Sequence, residues 1–271
     1  RRQRQMCIRD RRGRVLKKSQ LIYQYIREQG AVSKQDIVIG LGLSLPTITQ
    51  NLNNLAELGL IDTSKKISNT GGRNATAYSY IEKARYAVGL YLNRHHINCV
   101  AVDLSGNVIS LIRVRENFDL NDDNYLRKIG ETVEEVKKDT GLSDDRFLGV
   151  GIAVQGLISD DGERVTYGLT LNFTGVTRAD IAKYIPYHNR LFHDSAAAGY
   201  AEVWDRNDLD DAFYLSLSNS VGGAVIVANK IFEGERRKSG EIGHMTIIPK
   251  AGDRCYCGQR GCFDTVCRAC L

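Results

Sequence analysis

Residues 241–264 read Glu241-Ile242-Gly243-His244 and then, after ten residues, Cys255-Tyr256-Cys257-Gly258-Gln259-Arg260-Gly261-Cys262-Phe263-Asp264. One imidazole and three thiols in so short a span (His244, Cys255, Cys257 and Cys262) are the ligand set of a closed tetrahedral zinc site. Gly258 and Gly261 allow turns tight enough for Cys257 and Cys262 to face one ion. The alternative is a chance cluster of small core residues or disulfides. A His with a C-x-C-x4-C run is far more specific than a lone C-x-x-C, so the stretch predicts a structural zinc.

E-x-G-H followed by C-x-C-G-x-x-G-C resembles the motif of the ROK family (repressors, open reading frames and sugar kinases). The resemblance implies a zinc that braces a sugar pocket. It assigns His244 to both metal and sugar, and Glu241 to sugar hydroxyls. The family's Glu after the last Cys is Asp264 here, a sugar contact shortened by a methylene. The resemblance extends over about residues 84–265 and implies an actin-like ATPase (ribonuclease H-like) α/β domain of sugar-kinase type.

The chain has 271 residues, 42% hydrophobic and 25% charged, with a net charge of +5. That is ordinary for a soluble globular protein of two domains. No stretch is apolar enough to span a bilayer, which argues against a membrane partner. Thiolate ligands need a reducing compartment, so the expected location is cytoplasmic. The positive charge is concentrated. Residues 1–18 hold seven Arg, two Lys and one Asp, a net of +8, and the remainder is mildly acidic. Met6-Cys7-Ile8-Arg9-Asp10-Arg11 resembles the translation of a transposon end, so residues 1–14 are expected to be a non-native or disordered segment. A basic N-terminal arm is the alternative. The chain stops at Leu271, soon after the cysteine loop, and a C-terminal part of the sugar-binding domain is expected to be missing.

Residues 15–82 read as a DNA-binding unit. Val15 to Gln29 has helical apolar spacing, and Gly30 ends it. Ser33 caps a second helix through Ile39, with Asp36 at the capping-box position. Gly40-Leu41-Gly42-Leu43 makes the turn. Ser44 caps a third helix, with Pro46 early in it, that runs to Leu58 before Gly59. Ile48, Leu52 and Leu55 form one face of this helix, whereas Thr47, Thr49, Gln50, Asn51, Asn53 and Asn54 fill much of the rest. Neutral amides and hydroxyls suit base edges, since Gln and Asn can pair bidentately with adenine. Lys65, Lys66 and Arg73 follow in a hairpin around Gly71-Gly72. Lysines there can meet phosphates, and an Arg on a glycine turn can enter the minor groove. The arrangement resembles the winged helix-turn-helix of ROK repressors, with Ser44, Thr47, Thr49, Gln50, Asn51, Asn54, Lys65, Lys66 and Arg73 as DNA contacts.

Tyr86 onward reads as strands. Tyr86–Tyr91, Ile97–Asp103 and Val108–Val114 form a meander before a helix at Asp123–Thr140, and Phe147–Val154 is a further buried strand. The expected lobes are residues 83–198 and 199–271. Kinases of this resemblance carry a D-x-G-G-T turn after the first strand; here it is Asn93-Arg94-His95-His96, and the second phosphate loop is Ser218-Asn219-Ser220-Val221-Gly222-Gly223-Ala224. ATP binding is therefore expected to be lost. The sugar side is better kept. Asp194 matches the family's general base, without a catalytic role if ATP is absent, or serves as a helix N-cap. His193 replaces the family's Asn, Gln155 replaces a Pro, and Asn172 lies in a loop that often contacts sugar. His95 and His96 are read as loop residues. Cys267 and Cys270 form a C-x-x-C that is read as ordinary cysteines, with a redox role as the alternative, and Trp204 and the thirteen Tyr are read as core packing.

Two readings follow. One is a sugar-responsive DNA-binding regulator, a repressor by resemblance, that forms a homodimer or higher homo-oligomer on double-stranded operator DNA and answers a small carbohydrate. The other is an ATP-dependent sugar kinase, for which the altered first phosphate loop is unsuited.

Overall fold

The computed structural model describes residues 18–67, 75–204, 210–218, 220–235 and 237–267. Residues 1–14, Arg73 with the Gly71-Gly72 tip, Asn219 and Cys270 lie outside the described residues. The chain divides into two compact units, Arg1–Arg85 and Tyr86–Leu271.

The first unit holds three helices, α1 (Lys18–Gln29), α2 (Lys34–Leu41) and α3 (Leu45–Glu57), with strands β1 (Val32–Ser33), β2 (Ile61–Asp62), β3 (Lys66–Ile67) and β4 (Ala75–Tyr80). Helical spacing turns Ile22 and Ile26 of α1 towards Ile48, Leu52 and Leu55 of α3. Ile37, Val32 and Ile61 complete this core. The Ser33 capping box forms as the sequence predicts. Ser33 Oγ accepts from the Asp36 N–H at 3.2 Å, and Asp36 Oδ2 accepts from the Ser33 N–H at 2.8 Å. The turn is shorter than the sequence suggests, because α2 continues through Gly40 and Leu41. It ends at Gly42, whose φ of +62° lets its N–H reach the Val38 carbonyl. Ser44 is the residue before α3, but its side chain makes no cap bond; the hydroxyl pairs with Thr47 Oγ1 at 2.9 Å instead. β4 pairs antiparallel with β1, β2 and β3.

The second unit begins with β5 (Tyr86–Leu92), β6 (His96–Asp103) and β7 (Val108–Arg115), an antiparallel meander. α4 (Asp123–Asp139) leads to β8 (Phe147–Val154), which lies parallel to β5. β11 (Asn189–His193) lies parallel to β8. The five strands form one sheet in the order β11-β8-β5-β6-β7, with the short pair β9 (Leu157–Ile158) and β10 (Val165–Tyr167) beside it. Tyr86, Val88, Leu90 and Leu92 alternate into the core, where Ile129, Val133 and Val136 of α4 meet them. α5 (Arg178–Ile181) precedes β11, and α6 (Asp194–Trp204) follows it directly. α6 packs on a second antiparallel sheet of β12 (Ala212–Leu217), β13 (Val221–Val227) and β14 (Lys230–Phe232). The start of α6, the start of β13 and the C-terminal ends of β5 and β8 therefore converge on one region.

Candidate metal cluster and ligand pocket

A single helical turn, Ile242–His244, carries His244 beside β13. Gly243 is required there, because a Cβ would lie 2.2 Å from the Val221 carbonyl oxygen. The cysteine loop folds back on this turn. Ile247 donates to Gly261 O at 2.8 Å, Phe263 to Met245 O at 2.8 Å, and Cys255 to Gln259 O at 2.8 Å. Gly258 and Gly261 take φ of +93° and +68°, the left-handed turns that the sequence requires. Cys262 is 0% and Cys255 3% exposed.

The donor atoms of His244, Cys255, Cys257 and Cys262 all lie within 4.8 Å of one another. Cys255 Sγ is 3.6 Å from His244 Nδ1, and Cys257 Sγ is 3.6 Å from Cys262 Sγ. Zinc–sulfur bonds of about 2.3 Å at tetrahedral angles put sulfurs about 3.8 Å apart, so the four donors fit one tetrahedral ion. Burial opposes ionisation at every thiol. It raises Cys255, and together with the neighbouring thiols it pushes Cys262 up to about 12. At Cys257 burial is outweighed by the Gln259 N–H and by the Cys255 and Cys262 thiols, which lower it. A cation is what would let all three ionise together.

Beside the cluster lies a pocket of about 70 Å³. Its acidic side is Asp194, at the start of α6, and Glu241. His193 Nε2 stands 3.6 Å from Asp194 Oδ1 and 3.6 Å from Glu241 Oε1. Asp194 Oδ1 also accepts the Ser195 N–H at 2.7 Å. Burial raises the Asp194 carboxyl, against the opposing pull of His193 and Ser195. His244 lines the pocket as well as the cluster. The remaining wall includes Tyr91, Gln155, Tyr167, Thr170 and Tyr256. Gln155 Nε2 donates to the Tyr91 hydroxyl at 3.4 Å. Burial, then the Asp194 charge, pushes Tyr91 up to about 12, and burial does the same at Tyr256. Both phenols stay protonated at neutral pH and can donate hydrogen bonds to a polyol. Acceptors on one wall and donors on the other suit a molecule rich in hydroxyls.

His193, Asp194, Glu241 and His244 are thus brought together as the sequence predicts. Asn172 and Asp264 lie elsewhere. Asn172 is exposed in a left-handed turn with φ of +54°, and Leu169 and Thr170 of its loop face the pocket in its place. Asp264 is 1% exposed, on the short helix α7 (Phe263–Cys267), and its Oδ1 accepts the Val221 N–H at 2.7 Å. Its shorter arm is spent on pinning β13. The tyrosines were the larger omission: Tyr91, Tyr167 and Tyr256 line the pocket rather than pack a core. Tyr256 had a sequence signal, because a residue between two ligand cysteines is turned away from the ion.

The turn after β5 corresponds to the first phosphate loop of the kinase resemblance. Asn93 Oδ1 accepts the N–H groups of His95 at 3.0 Å and His96 at 2.9 Å, the donors that such a loop would offer to a phosphate. In the first unit, Ser44, Gln50, Asn53, Asn54, Lys65 and Lys66 are exposed, and Thr47, Thr49 and Asn51 are half-buried. Asn51 Nδ2 donates to Thr47 O at 2.7 Å within its own helix.

A family model described as "ROK family" matches residues 87–269. The chain belongs to the ROK family. Among curated relatives, the xylose repressor of Bacillus subtilis is 25% identical over 250 residues, covering 90% of this chain and 64% of that protein. NagC of Escherichia coli K12, a DNA-binding transcriptional dual regulator, is 24% identical over 270 residues, covering 92% and 61%. This ROK chain therefore spans under two thirds of the length of these relatives. A crystal structure of a ROK transcriptional regulator, a homolog of E. coli MLC, matches with a TM-score of 0.73 at 22% identity, covering 92% of this chain and 63% of that one. A ROK hexokinase from Thermus thermophilus matches with a TM-score of 0.53 at 24% identity, covering 66% and 59%. These structures show a mixed α/β ROK fold shared by regulators and kinases.

Proposed function

We propose that this ROK chain is a sugar-responsive, DNA-binding transcriptional regulator, a repressor by its relatives, with a zinc-braced pocket and no kinase activity. The observation that carries the reading is one chain holding two things: a helix that exposes the amides of Gln50, Asn53 and Asn54 beside half-buried Thr47 and Thr49, and a pocket lined with groups that bond hydroxyls. The first unit is read as a winged helix-turn-helix. α3 would enter the major groove with Thr47, Thr49, Gln50 and Asn54 towards base edges, Ser44 and Asn51 beside them, and Lys65 and Lys66 on phosphates. Arg73 is assigned to the tip by sequence alone. The relatives named as a xylose repressor and as a DNA-binding transcriptional dual regulator support this reading, matching 90% and 92% of the chain.

Zinc would be held by His244, Cys255, Cys257 and Cys262, and would supply structural rigidity. Four protein donors leave it no open position for chemistry. His193, Asp194, Glu241 and His244 would hold sugar hydroxyls, Asp194 as a hydrogen-bond acceptor rather than a base. The second unit is read as the actin-like lobes of this family. The occupied N–H groups of His95 and His96 argue against ATP and hence against the kinase reading. Sugar would act by binding two states of a homodimer unequally, which changes the spacing of two recognition helices on a palindromic operator.

The test is fluorescence anisotropy of the protein on DNA from upstream of its own gene, titrated with neutral and anionic sugars. Specific binding shifted by a sugar supports the proposal. No specific binding at low salt, together with transfer of phosphate from ATP to a sugar to give ADP and a sugar phosphate, would replace it with the kinase.

A further inference from the structure

A second cavity, of about 290 Å³, adjoins the pocket and shares Tyr91, Gln155, Thr170 and Ser218 with it. Its other wall is Asn93, Arg94, His95 and His96 of the turn after β5, with Arg113 of β7. The two ends of this cleft differ in charge. The inner lining contains Asp194 and Glu241 and no Lys or Arg, whereas the outer lining contains two Arg and two His and no Asp or Glu.

The outer groups are oriented. An Arg94 guanidinium nitrogen donates to the Thr170 carbonyl at 2.8 Å, which holds it against a residue common to both cavities. An Arg113 guanidinium nitrogen lies 3.3 Å from His96 Nε2, and His95 Nδ1 lies 3.1 Å from Asn117 Oδ1. Among the described residues, no carboxylate forms an ion pair with Arg94 or Arg113. Desolvation first, then Arg113, Arg115 and His95, hold His96 below the usual histidine range, as expected where positive charge is concentrated. Cations converging on a concave wall attract an anion, and paired guanidiniums suit phosphate or carboxylate oxygens.

We propose that the outer cavity is an anion subsite, so that the ligand of this cleft is a monosaccharide bearing a phosphate or carboxylate group between Arg94 and Arg113. The inference rests on the sugar reading of the inner pocket and names the class of sugar. The cation cluster stands where a kinase would offer backbone N–H groups to a phosphate, and side chains take over that role.

Calorimetric titration of the full chain would use matched sets: glucose, N-acetylglucosamine and xylose against glucose 6-phosphate, N-acetylglucosamine 6-phosphate and glucuronate, with inorganic phosphate as a further ligand. Charge-assisted bonds to two guanidiniums predict that at least one anionic sugar binds about tenfold tighter than its neutral parent. In Arg94→Gln/Arg113→Gln that ratio should fall to near one, a comparison made within one variant and so insensitive to its stability. A preference for phosphate or for carboxylate tells the two sources apart. Neutral sugars binding as tightly as every anionic partner, or a preference that survives in the double variant, would overturn the subsite. Binding by none of the sugars would instead overturn the sugar reading of the pocket.

Discussion

Replacing Cys257 with Ser removes one of four donors from a cluster whose atoms lie within 4.8 Å. Without the ion, the loop from Cys255 to Cys262 is tied to the residues before it mainly by the backbone bonds of Gly261 with Ile247, Ile248 and Asp253, and two of its thiols are buried. A metal present at a thousandfold excess over its dissociation constant stabilises the folded state by about 4 kcal/mol. For a unit the size of Tyr86–Leu271, each kcal/mol moves the melting temperature by about 2–4 °C. Cys257→Ser, or prolonged chelation of the parent protein, should therefore lower the melting of this unit by about 10 °C. Scanning fluorimetry reads the shift, and elemental analysis of the purified protein should find one zinc per chain in the parent and a loss in the variant. A melting temperature unchanged by chelation, with no metal in the parent, would refute the structural-zinc argument.

Gln50→Ala combined with Asn54→Ala should weaken binding to the protein's own upstream DNA by about 2–6 kcal/mol, from about 1–3 per lost base contact, and leave melting unchanged because both side chains are exposed. Asp264→Ala leaves the Val221 N–H buried without its acceptor, which should cost about 1–3 kcal/mol in chemical unfolding; a null result would show that the bond is not structural. Asp194 is raised in the folded state, so its protonated form favours folding. That stability is present at low pH and is lost as pH rises through the folded value. Asp194→Asn should flatten this dependence, melting above the parent near neutral pH with a gap that closes towards pH 4, and should weaken sugar binding.

Local chemistry made much of the molecule legible. The Ser33–Asp36 box and the buried stripe of Ile48, Leu52 and Leu55 are decided by residues within a few positions of one another, whereas the end of α2 falls at Gly42, beyond the Ile39 that the sequence suggests. The metal cluster was legible for the same reason, since three of its ligands fall within eight residues. The pocket wall was harder. Tyr91 lies near the end of β5, Thr170 sits in a loop and Tyr256 in the cysteine run, and only the packed sheets bring them together. Asp264 was misplaced because its partner, Val221, lies 43 residues earlier in the chain. The turn at residues 93–96 differs in sequence from a phosphate loop, with no acid, glycine or threonine at the matching places. That Asn93 itself takes up the His95 and His96 N–H groups could be learned only from the structure.

The most direct test of a coupled DNA and sugar switch is the affinity of the effector sugar measured with and without saturating operator DNA. Linkage requires the two sites to change each other's affinity by the same factor, of about 5–150-fold. The account predicts that operator DNA shifts sugar affinity by the factor by which sugar shifts DNA affinity. Identical sugar affinity in the two conditions would contradict it.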